Sequence, residues 1–124
     1  MSDNFEAFFD AYVECALWST TDDADESGGA PLDTNYGAGD FDPKSFAELR
    51  ADAARFYVDN FNAIHDYGTA ERAGHDFWLT RNGHGAGFWD GDWPKEVGDK
   101  LTKSSKAYGT VDIYLGDDGK LYVT

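Results

Sequence analysis

No lysine and no arginine occurs ahead of Lys44, yet eleven carboxylates do: Asp3, Glu6, Asp10, Glu14, Asp22, Asp23, Asp25, Glu26, Asp33, Asp40 and Asp42. Cations that would hold a phosphate backbone are thus missing from the first third of a chain whose net charge is −14, which disfavours direct nucleic-acid binding and contact with anionic lipid. The single cysteine, Cys15, leaves no partner for an intrachain disulfide, and its place within an apolar stripe reads as a small buried hydrophobe. No apolar run approaches the roughly 20 residues of a membrane-spanning helix. The amino end also lacks a basic stretch followed by an apolar one, the mark of a secretory leader, so a cytoplasmic location is expected.

What is present suffices for one core. With 124 residues, 41% hydrophobic and 16% aromatic, the chain reads as a single domain over 1–124. Beyond Asp42 it holds thirteen acids and ten bases, so most of the negative charge sits in one segment. Acidity that serves only hydration in a salt-rich cytoplasm would be spread over the whole surface. A field of one sign governs what a protein attracts, and this asymmetry points to a cationic partner.

Residues 3–19 are predicted to form a helix, because Phe5, Phe8, Phe9, Tyr12, Val13, Ala16 and Leu17 recur at steps of three and four. Asp3, Glu6, Asp10 and Glu14 then line the opposite side, at a cost of a few tenths of a kcal/mol per like-charge pair. Residues 20–42, rich in Asp and Gly, read as a long acidic loop. A second helix begins with Asp42 as its cap and Pro43 in its first turn, carries Phe46, Leu49, Ala53, Phe56, Tyr57, Asn60 and Ile64 inward, and stops at Gly68. Between His75 and Trp93, Asn82-Gly83 in an aromatic-rich stretch predicts a β-hairpin, with Phe77, Leu79, Ala86 and Phe88 on one face and Trp78, Thr80, Gly87 and Trp89 on the other. Residues 94–108 read as a short helix ended by Gly109. The last segment reads as a second hairpin about Asp117, Asp118 and Gly119, with Val111, Ile113, Leu115, Leu121 and Val123 sharing a face. The expected architecture is α+β, in the order helix, loop, helix, hairpin, helix, hairpin, with an antiparallel sheet carrying helices on one face.

Chemistry-bearing residues concentrate in the middle hairpin: His75, Asp76, Trp78, Arg81, His84, Trp89 and Asp90. Two histidines and several carboxylates are the side chains of a metal-dependent hydrolase, the alternative reading of this segment. In a hairpin, however, His75 and His84 stand at opposite ends, on the order of 15–20 Å apart, too far to share an ion. Neither a metal nor a cofactor is therefore expected, and no nucleophile is placed beside a base. Gly83, Gly85 and Gly87 do not lead from a strand into a helix, as a phosphate-binding loop must. Asp22, Asp23, Asp25 and Glu26 lack the ligand order of a calcium-binding loop.

The segments GHDFWLTRNGHGAGFWD at 74–90 and YVECALWS at 12–19 resemble small uncharacterised proteins encoded by bacteriophages and mobile elements. That resemblance implies a phage-borne accessory protein acting in the cytoplasm of a bacterial host, and carries no established activity with it. Joined to the charge pattern, it gives the leading expectation. The chain would be a non-enzymatic acidic inhibitor or interaction protein that docks, as a DNA mimic of the anti-CRISPR or anti-restriction type, on a basic nucleic-acid-binding surface of a host defence protein. Asp3, Glu6, Asp10, Glu14, Asp22, Asp23, Asp25 and Glu26 would form the partner-binding face. An accessory phage protein without a defence role is the other alternative. Trp18, Trp78 and Trp93, read as exposed, would also suit a homodimer interface.

Overall fold

The computed structural model describes residues 3–20, 31–83 and 86–124, with the side chain of Asp3 left aside. Expectations that fall on the Asp3 side chain, Asp22, Asp23, Asp25, Glu26 and His84 lie outside the described residues. The fold is α+β, with α1 (Asp3–Ser19), α2 (Pro43–Asp59), α3 (Phe61–Tyr67), α4 (Ala70–Arg81) and α5 (Lys95–Lys106) followed by β1 (Ile113–Leu115) and β2 (Leu121–Val123). Two short 3-10 turns, Leu32–Thr34 and Ala38–Asp40, lead into α2.

Helix α1 spans the predicted residues, and every member of its apolar stripe is buried, as is Cys15. Fully burying a large apolar side chain is worth about 1.5–3 kcal/mol, so Phe5, Phe8, Phe9 and Tyr12 outweigh the repulsion of the acidic side many times over. Asp42 caps α2 by accepting a hydrogen bond from the Ser45 amide at 3.1 Å. The single helix expected over 43–67 is two. At Asn60 the backbone turns to φ −118°, ψ 17°, and the buried side chain donates both to Phe56 O and to Ser104 Oγ at 3.0 Å, which makes the break a joint between α2 and α5.

The largest departure from the sequence reading is α4. The hairpin predicted over 75–93 does not form, and its first half is the central helix of the molecule. Thr69 caps it by accepting from the Arg72 amide at 3.2 Å. Asn82-Gly83, taken as a hairpin turn, instead terminates the helix: Asn82 is its C-cap and Gly83 follows with φ +72°, the left-handed conformation that closes many helices. From Asp76 to Arg81 every residue is buried, so the segment has no solvent side and no amphipathic period to read. Its composition, Phe-Trp-Leu-Thr, fits a strand as well as a buried helix. Residues 86–93 then fold back on α4, where Thr80 Oγ1 accepts from the Phe88 amide at 3.1 Å. The two strand faces assigned to this segment are accordingly void. Phe77, Trp78, Leu79, Thr80 and Phe88 all enter the core.

An aromatic core joins these helices. Phe56 and Phe77 stack at 4.0 Å, and Phe8, Tyr12 and Phe88 pack around them. Closest of all is the crossing of α1 and α4, where a Cβ on Gly74 would lie 2.0 Å from the Phe8 carbonyl oxygen. The C-terminal hairpin has the expected register, with Ile113 opposite Val123 and Leu115 opposite Leu121, and its loop turns at Asp117–Gly119. Its inner face covers the core through Ile113 and Leu121. On the outer face Tyr114 and Tyr122 stack, and Asp118 accepts from the Tyr122 hydroxyl at 2.6 Å, which pushes that tyrosine up to about 12. Among the described residues no helix is long and apolar enough to cross a membrane.

Replacing Gly74 by Ala should destabilise the protein by about 1–2 kcal/mol in urea unfolding, because overpacking at a backbone contact, up to about 3 kcal/mol, outweighs the ~1 kcal/mol that alanine gains over glycine in a helix. An unchanged or raised stability would mean that α1 and α4 do not cross this closely.

Candidate protein-interaction site

Burial of the aromatic stripe fixes the rotation of α1 and thereby selects what it shows to solvent. Asp10, Glu14 and Trp18, four residues apart, form one exposed line along the helix, with Trp18 58% exposed. Glu6 has a different fate. Its carboxylate pairs with the Arg50 guanidinium from α2 through both oxygens, one contact at 3.3 Å and the other shorter, and this bond holds Glu6 below the usual carboxylate range. The Arg50 guanidinium also rests over the rings of Phe5 and Phe9, 5.0 and 5.1 Å from their centroids. Asp10 lies within electrostatic reach of the same arginine, whereas no cation pairs with Glu14 among the described residues.

An open cleft of about 970 Å³ lies over this side of α1. One flank comes from Asp33, Tyr36, Gly37 and Ala38 ahead of α2, another from Glu71, Arg72 and His75 in the first half of α4. Between them lie Asp10, Val13, Glu14, Cys15, Leu17 and Trp18, with Phe46 of α2 also lining the space. Four carboxylates thus face one arginine around an apolar and aromatic floor. The ring of Trp18 sits 6.3 Å from that of His75, tilted against it. Cys15 contributes a buried thiol, pushed up to about 12 by burial and by the nearby Asp76 carboxylate, so it is present as a neutral, unreactive group.

The residues grouped by the hairpin reading are dispersed by the helix. His75 is exposed at the cleft, with Nδ1 3.8 Å from Asp76 Oδ1. Asp76 itself is buried and accepts the indole N–H of Trp93 at 2.8 Å. Burial raises its pKa, opposed by that hydrogen bond and reinforced by Asp90. Trp78 is buried and donates to Ser19 Oγ at 2.8 Å, so neither Trp78 nor Trp93 offers the exposed dimer surface read from sequence. Trp89 is half-exposed and Asp90 accepts from the Gly87 amide at 3.2 Å. Arg81, at the far end of α4, is a structural tie. Its guanidinium donates to Gly109 O, Tyr12 Oη, Asp52 Oδ2 and Tyr108 O at 2.9, 2.9, 3.1 and 3.1 Å, linking four parts of the chain. Among the described residues no group of three or more His, Cys, Asp or Glu converges as metal ligands.

Comparison with family profiles, with curated proteins and with solved structures finds no match to this chain. Geometry and charge therefore carry the functional reading. Asp10 and Glu14, expected from sequence on a partner-binding face, line the cleft, and Asp33, Tyr36, Glu71 and Arg72 line it without having been expected there. The signal for the last two was the cap at Thr69 with Glu71 in the first turn behind it, which marks a helix start at Ala70.

Asp76 yields a stability test. Its folded pKa lies above the ordinary 3.8, so ionisation costs stability at neutral pH and the cost disappears as pH falls through the raised value to below 3.8. Asp76→Asn keeps an acceptor for Trp93 without the charge. Urea unfolding should therefore find the variant at least as stable as wild type at pH 7, with wild type gaining on it toward pH 4. A variant markedly weaker at neutral pH, with a pH-independent difference, would contradict this environment for the carboxylate.

Proposed function

We propose that this protein is a phage-borne, non-enzymatic inhibitor or interaction protein whose acidic amino-terminal side docks on a basic, nucleic-acid-binding surface of a host protein as a DNA mimic. The observation that carries this reading is the outward line of Asp10 and Glu14, flanked across the cleft by Asp33 and Glu71 and opposed there by Arg72. Carboxylates one helical turn apart, about 6 Å, offer a coarse counterpart to the linear charge of a phosphate backbone. A cleft built from Lys and Arg to bind DNA attracts such a row by the same complementarity of charge that draws it to phosphates.

Electrostatics of this kind speeds encounter and fixes orientation, and it weakens as salt shortens the Debye length. Glu14, which pairs with no cation among the described residues, and the commitment of the Arg50 guanidinium to Glu6 support the reading.

The test is capture from bacterial lysate on immobilised protein, with elution by duplex DNA. Wild type should retain nucleic-acid-binding proteins that DNA displaces, and the double variant Asp10→Lys, Glu14→Lys should lose at least about tenfold of that capture at low ionic strength, where the Debye length is about 30 Å. Circular dichroism should show both proteins folded alike. Capture that survives the double reversal, or that neither salt nor DNA displaces, would contradict docking through this face.

A further inference from the structure

A mimic that works by charge alone needs only exposed carboxylates, yet the outer side of α1 ends in an aromatic ring. Trp18 continues the line of Asp10 and Glu14 and is more than half exposed, and the cleft behind it is lined by Val13, Leu17 and Phe46. An exposed tryptophan beside an apolar floor and bordered by carboxylates matches a segment that brings apolar and cationic side chains together. Among cations, arginine pairs bidentately with carboxylates, whereas a lysine ammonium is a hydrated point charge. A volume of about 970 Å³ is at the upper end of small-molecule clefts and admits several side chains of a peptide.

We propose that this cleft receives a short segment of the partner's chain that carries arginine beside aliphatic side chains, the apolar groups seated against Trp18 and the guanidinium groups on the surrounding carboxylates. The inference rests on the function proposed above and assigns its anchor point. Charge complementarity selects the occupant. Residues 21–30 of this chain carry Asp22, Asp23, Asp25 and Glu26 and share the sign of the cleft, and a second copy brings another net −14. Arg50 and Arg81, two of the chain's own arginines, are committed to internal partners.

Fluorescence anisotropy with labelled peptides of equal length and charge tests the assignment on the full chain. One peptide combines Arg with Leu, the second Arg with Ser, and the third Lys with Ser. The Arg/Leu peptide should bind at least tenfold more tightly than either of the others. Trp18→Ala should remove that advantage and Trp18→Phe restore most of it, while Glu14→Lys weakens all three. Equal affinity for the three peptides, or an advantage untouched by Trp18→Ala, overturns the anchored segment and leaves docking by charge standing. Absence of binding by every peptide at low salt removes both readings. Tight binding that emerges only after deletion of residues 22–29 assigns the cleft to the chain's own segment and likewise overturns the proposal.

Discussion

The packing of α1 on α4, backbone against backbone at Gly74, sets the positions on which the remaining structure depends. A helix held this closely cannot rotate, so the four aromatic rings that α1 turns inward decide which of its residues meet solvent. Phe8 and Tyr12 lie against Phe77 of α4, which stacks in turn on Phe56 of α2. At the far end of α4, Arg81 reaches Tyr12, Asp52 and the carbonyls of Tyr108 and Gly109, so that α1, α2 and the end of α5 are fastened to one buried cation. Removing a guanidinium from water costs several kcal/mol, and only this set of acceptors makes the position tolerable. The side chain read from sequence as part of a reactive cluster is instead the device that closes the helical body.

Disposition of the basic residues follows from the same packing. Arg50 is taken by Glu6, Arg81 by Asp52 and backbone carbonyls, and Lys95 by Asp99 on its own helix. The exposed lysines of α5, Lys100, Lys103 and Lys106, belong to an element that packs chiefly on α4. Charge asymmetry along the sequence therefore persists in space where Asp10 and Glu14 are concerned, and it is cancelled at Glu6. Folding edits the acidic row without erasing it. The exposed remainder borders a cleft whose floor is apolar, so the contact proposed there would combine attraction at a distance with burial at close range.

Legibility of the fold tracked the asymmetry of burial. Helix α1 and the last hairpin each have one wet and one dry side, so spacing of three and four in the first and of two in the second stood out, down to the turn at Asp117–Gly119. Helix α4 lacks a wet side over its second half, and without one a helix and a strand of Phe, Trp, Leu and Thr look alike. Asn82-Gly83 compounded the difficulty, because a left-handed glycine serves a hairpin and a helix terminus equally well. The break at Asn60 left no mark in the apolar pattern, since its cause is a hydrogen bond to Ser104 on a distant helix. For the site, Asp10 and Glu14 were readable from α1 alone, whereas Glu71, Arg72 and Asp33 joined them only through the fold.

The outward side of α1 between α4 and the segment before α2 is the proposed point of contact with a cationic macromolecule. Carboxylates also occur elsewhere, at Asp59, Asp66, Asp90, Asp92, Asp112, Asp117 and Asp118 among others, so acidity by itself does not choose this place. Titration of isotope-labelled protein with a basic partner domain, followed by amide chemical-shift changes in solution NMR, separates these surfaces directly. The shifts are expected to gather at residues 10–18, 33–38 and 71–75; shifts centred on any of the other carboxylates, or spread evenly over the surface, would contradict contact at this face.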